Sequence, residues 1–63
     1  MRYTWIYIAA GLPEDGSTCY IRLANNEFYP DLCIYSAPLQ QFTVKVSGAK
    51  FPINQVLKWC ALL

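Results

Sequence analysis

The segment FPINQVLKWCALL, residues 51–63, decides the fold class. Read as a helix, it places Pro52 in the first turn, where a missing N–H costs nothing. Ile53, Val56, Leu57 and Cys60 then share one face, and a C-terminal helix over 53–62 makes the chain α+β. Read as a strand over 55–61, it puts Leu57, Trp59 and Ala61 on one face. Composition alone slightly favours the helix, so the rest of the chain has to be weighed.

Everything upstream reads as strands and turns. Residues 3–9, YTWIYIA, are aromatic and β-branched, with Tyr3, Trp5 and Tyr7 on one face and Ile6 and Ile8 on the other. GLPEDGS, residues 11–17, reads as a turn. Pro13 supplies the first corner, and Gly16 the left-handed position that closes many four-residue hairpin loops. In 17–24, STCYIRLA, Cys19, Ile21 and Leu23 alternate with Thr18, Tyr20 and Arg22, as in a half-buried strand. Asn25-Asn26 suits a two-residue hairpin, because Asn tolerates positive φ. The return strand, 27–36, is interrupted by Pro30, which predicts an edge or a bulge. In 40–46, QQFTVKV, Phe42, Val44 and Val46 are expected to point inward. Turn signals this frequent predict an all-β fold, a small antiparallel sheet or partly closed barrel of about four to five short strands. Trp5, Ile21, Phe42, Val44 and Trp59 are the expected core.

The chain has 63 residues and is read as one small domain over 1–63. A chain this short buries only about 60% of the surface it exposes when unfolded. Yet 56% of its residues are hydrophobic and only 14% are charged, against about 45–50% and 25% on average. Some apolar side chains must therefore remain in a surface patch, the mark of an interface. The five basic residues are scattered and the net charge is +1, which argues against a nucleic-acid partner. The three cysteines show no CxxC spacing and histidine is absent, so no metal site is expected. The thiols read as small buried groups in a reducing cytoplasm. Residues 1–11 are too short an apolar run to span a bilayer or to serve as a signal peptide, so no membrane partner is expected.

Taken together, the two ends carry a pattern. Trp5, Leu12, Pro13, Glu14 and Gly16 stand at one end; Val56, Trp59 and Leu62 stand at the other. This resembles the DUF551 family of small phage and prophage domains, whose pattern runs W-[IV]…LP-[ED]-x-G and closes on V-x-[HK]-W-x-P-L-P. Lys58 stands at the His/Lys position, while Ala61 and Leu63 replace the two prolines. The resemblance covers the ends and leaves residues 24–46 unmatched. It implies a phage or prophage origin, a cytoplasmic setting in the bacterial host and pairing of the terminal segments. It also favours the strand over the helix at 53–62.

The catalytic inventory is thin. Without His there is no ordinary Ser-His or Cys-His pair, and the adjacent Glu14 and Asp15 diverge in a turn rather than face one another across a substrate. No cofactor is implied and an enzyme is not expected. Binding is the expected class, with Tyr7, Glu14, Asp15, Tyr20, Arg22, Tyr29 and Tyr35 as candidate contact residues. The expected partner is a host or phage protein. Single-stranded nucleic acid, stacked on sheet aromatics beside Arg22, is one alternative. Self-association through excess apolar surface and open strand edges is another.

Overall fold

The computed structural model describes residues 4–62. They form six antiparallel strands: β1 (Ile6–Tyr7), β2 (Thr18–Leu23), β3 (Phe28–Ser36), β4 (Gln41–Val44), β5 (Lys50–Pro52) and β6 (Val56–Ala61). All lie in one sheet, in the order β1-β6-β2-β3-β4-β5. The fold is all-β, and the sheet is open rather than closed into a barrel. Two strands are shorter than the alternation suggested. β1 keeps only two of residues 4–9, Tyr3 lying outside the described residues, and β4 stops at Val44. The extra strand, β5, comes from a stretch that composition had assigned to the start of the last segment.

The C-terminal segment is a strand, and no helix forms over 53–62. Its Pro52 signal is absorbed by a three-residue 3₁₀ turn, Ile53–Gln55, after which the chain extends. The spacing of Val56 and Trp59 looks helical but has another origin. Arg22 pairs with Lys58 while Leu23 pairs with Val56, so Leu57 is an extra residue opposite β2. Such a bulge rotates the strand locally and lets two residues three apart face the same side. On the other side of β6, Leu57 is in step: its carbonyl accepts from the Ile8 N–H at 3.0 Å.

A second irregularity sits at Pro30. Cys19 pairs with Cys33 and Ile21 with Tyr29, so β3 spends two more residues than β2 over this interval. Pro30 has no N–H to donate to the ladder, and the bulge places it where none is needed. Bulges increase bend and twist. The molecule measures 26 × 23 × 23 Å, whereas a flat single layer would be about 10 Å thick. The sheet therefore curls enough to bury one of its own faces.

That inner face follows the register. Ile6, Trp59, Ile21 and Tyr29 form one row across four strands; Ala61, Cys19, Cys33 and Val44 form the next. Tyr35, Phe42 and Phe51 make a third, with Tyr35 and Phe42 rings 4.9 Å apart. Ile21, Phe42, Val44 and Trp59 are buried as expected. Trp5 is not in the core. It lies half-buried on the opposite face against Phe28, because alternation turns it with Tyr7 while Ile6 and Ile8 take the core side. Val46 does not point inward either. The strand ends two residues earlier in a turn closed by the Gly48 N–H to the Val44 carbonyl, and Val46 is 79% exposed.

The β2–β3 loop is one residue longer than expected. The Leu23 carbonyl accepts from the Asn26 N–H at 2.7 Å, and the Leu23 N–H donates to Glu27. Asn26 takes a φ of 68°, so this is a three-residue loop closed by a left-handed residue. Replacing Phe42 with Ala should cost about 3–5 kcal/mol, against a total of roughly 3–9 kcal/mol for a chain this size. Phe42→Ala should therefore lose about half or more of the total stability, read as a large drop in the urea midpoint by circular dichroism at 25 °C. Val46→Ala should shift the urea midpoint negligibly, within about 0.5 kcal/mol.

Candidate protein-binding face

The face opposite the core carries its own row. Along the register, Tyr7 pairs with Lys58, Lys58 with Arg22, and Arg22 with Phe28. Directly opposed residues project on the same side of a sheet. The row Tyr7-Lys58-Arg22-Phe28 therefore crosses β1, β6, β2 and β3, two rings outside and two cations inside. Each residue is the chain neighbour of one in the buried row: Ile6-Tyr7, Lys58-Trp59, Ile21-Arg22 and Phe28-Tyr29. Strict alternation thus couples the outer row to the core.

The cations are held by rings. The Lys58 ammonium sits 4.9 Å from the Tyr7 ring centroid. The Arg22 guanidinium lies 5.3 Å from the Trp5 centroid and 5.8 Å from that of Phe28, and its Nη1 donates to the Asn26 carbonyl at 2.9 Å. Trp5 meets Phe28 edge-on at 6.1 Å, and Tyr20 approaches Phe28 at 5.8 Å. Cation–ring contacts at exposed sites contribute about 0.5–1 kcal/mol each, which offsets part of the rotamer entropy lost when these long side chains are held in one place. Tyr7 and Phe28 remain 53% and 44% exposed.

The expected contact residues divide accordingly. Tyr7, Tyr20 and Arg22 come together here, joined by Trp5, Phe28 and Lys58. Lys58 was missed because it joins the row only once β6 is inserted between β1 and β2, and Phe28 because a two-residue loop would have set Tyr29, not Phe28, opposite Arg22. Tyr29 faces the other way and packs on Phe51 at 5.0 Å. Tyr35 offers no contact surface at 2% exposure; it shares the inner face with Cys33.

Glu14 and Asp15 belong to the β1–β2 connection, which is not a hairpin, since β6 lies between those strands. Gly16 does adopt the left-handed conformation, with φ 83°. The loop is pinned at several points. Asp15 Oδ1 accepts from the Ala37 N–H at 2.9 Å, the Gly16 N–H donates to Tyr35, and Trp59 Nε1–H donates to the Gly11 carbonyl at 2.9 Å. Asp15 is thus a structural acceptor tying this loop to the β3–β4 turn, whereas Glu14 is exposed.

A shallow cavity of about 310 Å³ is lined by Glu14, Ser17, Thr18, Trp59, Ala61 and Leu62. Glu14 is its single ionisable side chain, with no second acid or base facing it. Among the described residues no group of three or more His, Cys, Asp or Glu could hold a metal ion, and no helix is long and apolar enough to cross a membrane. All three cysteines are free and buried. Burial, with Cys33 and Cys60 nearby, pushes the Cys19 thiol up to about 11; burial, with Asp31 nearby, does the same for Cys33.

Comparison of the chain with protein-family models, curated proteins and solved structures finds no match. The DUF551 resemblance therefore rests on the residues quoted for it.

Three outcomes follow from this geometry. Cys19 and Cys33 should resist a maleimide at pH 8 in the folded protein and react on unfolding, because burial suppresses their reactive thiolates. The raised values also set a pH dependence. Below pH 9 both states keep these protons. Between pH 9 and 11 only the unfolded chain releases them, so stability should fall across that window in urea titrations. Asp15→Ala should cost about 1 kcal/mol through the lost Ala37 bond, while Glu14→Asn should leave the midpoint unchanged.

Proposed function

We propose that this chain is a small non-enzymatic binding protein that docks on another protein through the Tyr7-Lys58-Arg22-Phe28 face. The observation that carries this reading is the exposed row of rings and ordered cations on a surface the core does not need. Aromatic residues and Arg are the types enriched where proteins meet, and side chains already held in place lose less entropy on binding. The DUF551 resemblance adds a setting: a phage or prophage accessory protein in the bacterial cytoplasm, whose partner is a host protein that it modulates or inhibits.

Two other readings use the same surface less well. Base stacking on single-stranded nucleic acid needs free ring faces and a basic track for phosphates. Here the rings already hold cations, and the row contains only two charges. Self-association of this face against itself would bring Arg22 and Lys58 towards like charges on the second copy, which opposes it.

The experiment is affinity capture from bacterial lysate with the intact protein and with Tyr7→Ala/Phe28→Ala. Both positions are exposed, so the double variant should fold normally. A specific partner should be retained by the parent and lost by the variant. Retention of the same protein by both would exclude this face as the binding surface. Light scattering of the isolated protein should give the monomer mass.

A further inference from the structure

Arg22 and Lys58 stand directly opposite one another on neighbouring strands. Strands are about 4.8 Å apart, and like charges in that position repel. A neutralising carboxylate between them would be the ordinary remedy, and the described residues supply none. Asp15 bonds to Ala37, Glu27 accepts from Asn25 Nδ2, Glu14 belongs to the distant loop, and Asp31 lies in the β3 bulge. Instead each cation leans on a ring: Lys58 on Tyr7, Arg22 on Trp5 and Phe28. Of the five guanidinium N–H groups, one is engaged by Asn26.

We propose that the Arg22–Lys58 pair is the receptor for an acidic side chain, an Asp or Glu of a protein segment whose neighbouring apolar residues meet Tyr7 and Phe28. This deepens the reading of the outer face as a protein-binding surface and rests on it. A carboxylate placed between the two cations removes their repulsion and can accept two parallel bonds from the guanidinium. Two cations flanked by rings match one carboxylate flanked by apolar groups. A nucleic-acid strand presents a phosphate at every nucleotide and calls for a longer basic track. The other described cations stand outside the row: Lys45 follows β4 and donates its N–H to Leu32, and Lys50 on β5 pairs with Thr43.

The test is titration of the intact ¹⁵N-labelled protein with the peptide acetyl-Leu-Glu-Phe-amide, its Gln counterpart and oligothymidylate. The Glu peptide should shift the resonances of Tyr7, Arg22, Phe28 and Lys58, and the Gln peptide should bind about tenfold more weakly. Binding should weaken as salt rises. Lys58→Glu should raise the Tm of the free protein, by replacing repulsion with a cross-strand ion pair, and should abolish peptide binding. Equal binding of the Gln peptide overturns the carboxylate assignment while leaving the face as a protein-binding surface. Stronger perturbation by oligothymidylate, no shift at the row with either peptide, or a lowered Tm for Lys58→Glu also overturns it. The broader reading fails separately, if capture survives the loss of Tyr7 and Phe28.

Discussion

Trp59 is the side chain on which the arrangement turns. It lies on β6, the last strand in the chain, which is wedged between the first two. Its backbone pairs with Ile6 on one side and Ile21 on the other. Its ring is only 8% exposed on the inner face, and its indole N–H is satisfied by the Gly11 carbonyl of the connection between β1 and β2. A buried indole needs such an acceptor, so packing and loop position are fixed by one residue. Without that wedge, β1 has no partner and the aromatic-cationic row loses half its members.

A single sheet in so short a chain has to make a core by bending. The bulges at Leu57 and around Pro30 supply places where the ladder yields. The result divides the side chains cleanly: apolar residues fill the concave side, and the aromatic surplus collects on the convex side around Arg22 and Lys58. That surplus is the physical root of the binding reading, since it exceeds what the core holds.

Much of this was legible from alternation. Cys19 and Ile21, or Phe42 and Val44, face inward because period two leaves no other choice when one face is buried. The same rule applied to Cys33 points Tyr35 inward, whereas its residue type, enriched at interfaces, points it outward. Two features were illegible for better reasons. The helical look of 53–62 arose from a bulge, which sequence spacing does not reveal. The outer row depends on β6 lying between β1 and β2, so Lys58 and Tyr7 join Arg22 only through pairing distant in sequence, while Phe28 faces Arg22 because the hairpin loop is one residue longer than expected. Trp5 shares its face with Tyr7, as alternation requires, but ring size pointed it to the core while the smaller Ile6 and Ile8 took that side.

The wedged strand also shapes how the fold is reached. β2 to β5 follow one another as a meander, each pairing with its chain neighbour through a short loop. β6 returns from beyond all of them to pair with β2, and only then can β1 dock. Closing such long loops costs entropy before any contact is gained, and pairings distant in sequence slow the approach to the native state. Until β6 arrives, β2 exposes an unpaired edge beside Cys19 and Ile21. The meander is thus an assembly platform whose open side is sealed last, by the same strand that completes the binding face.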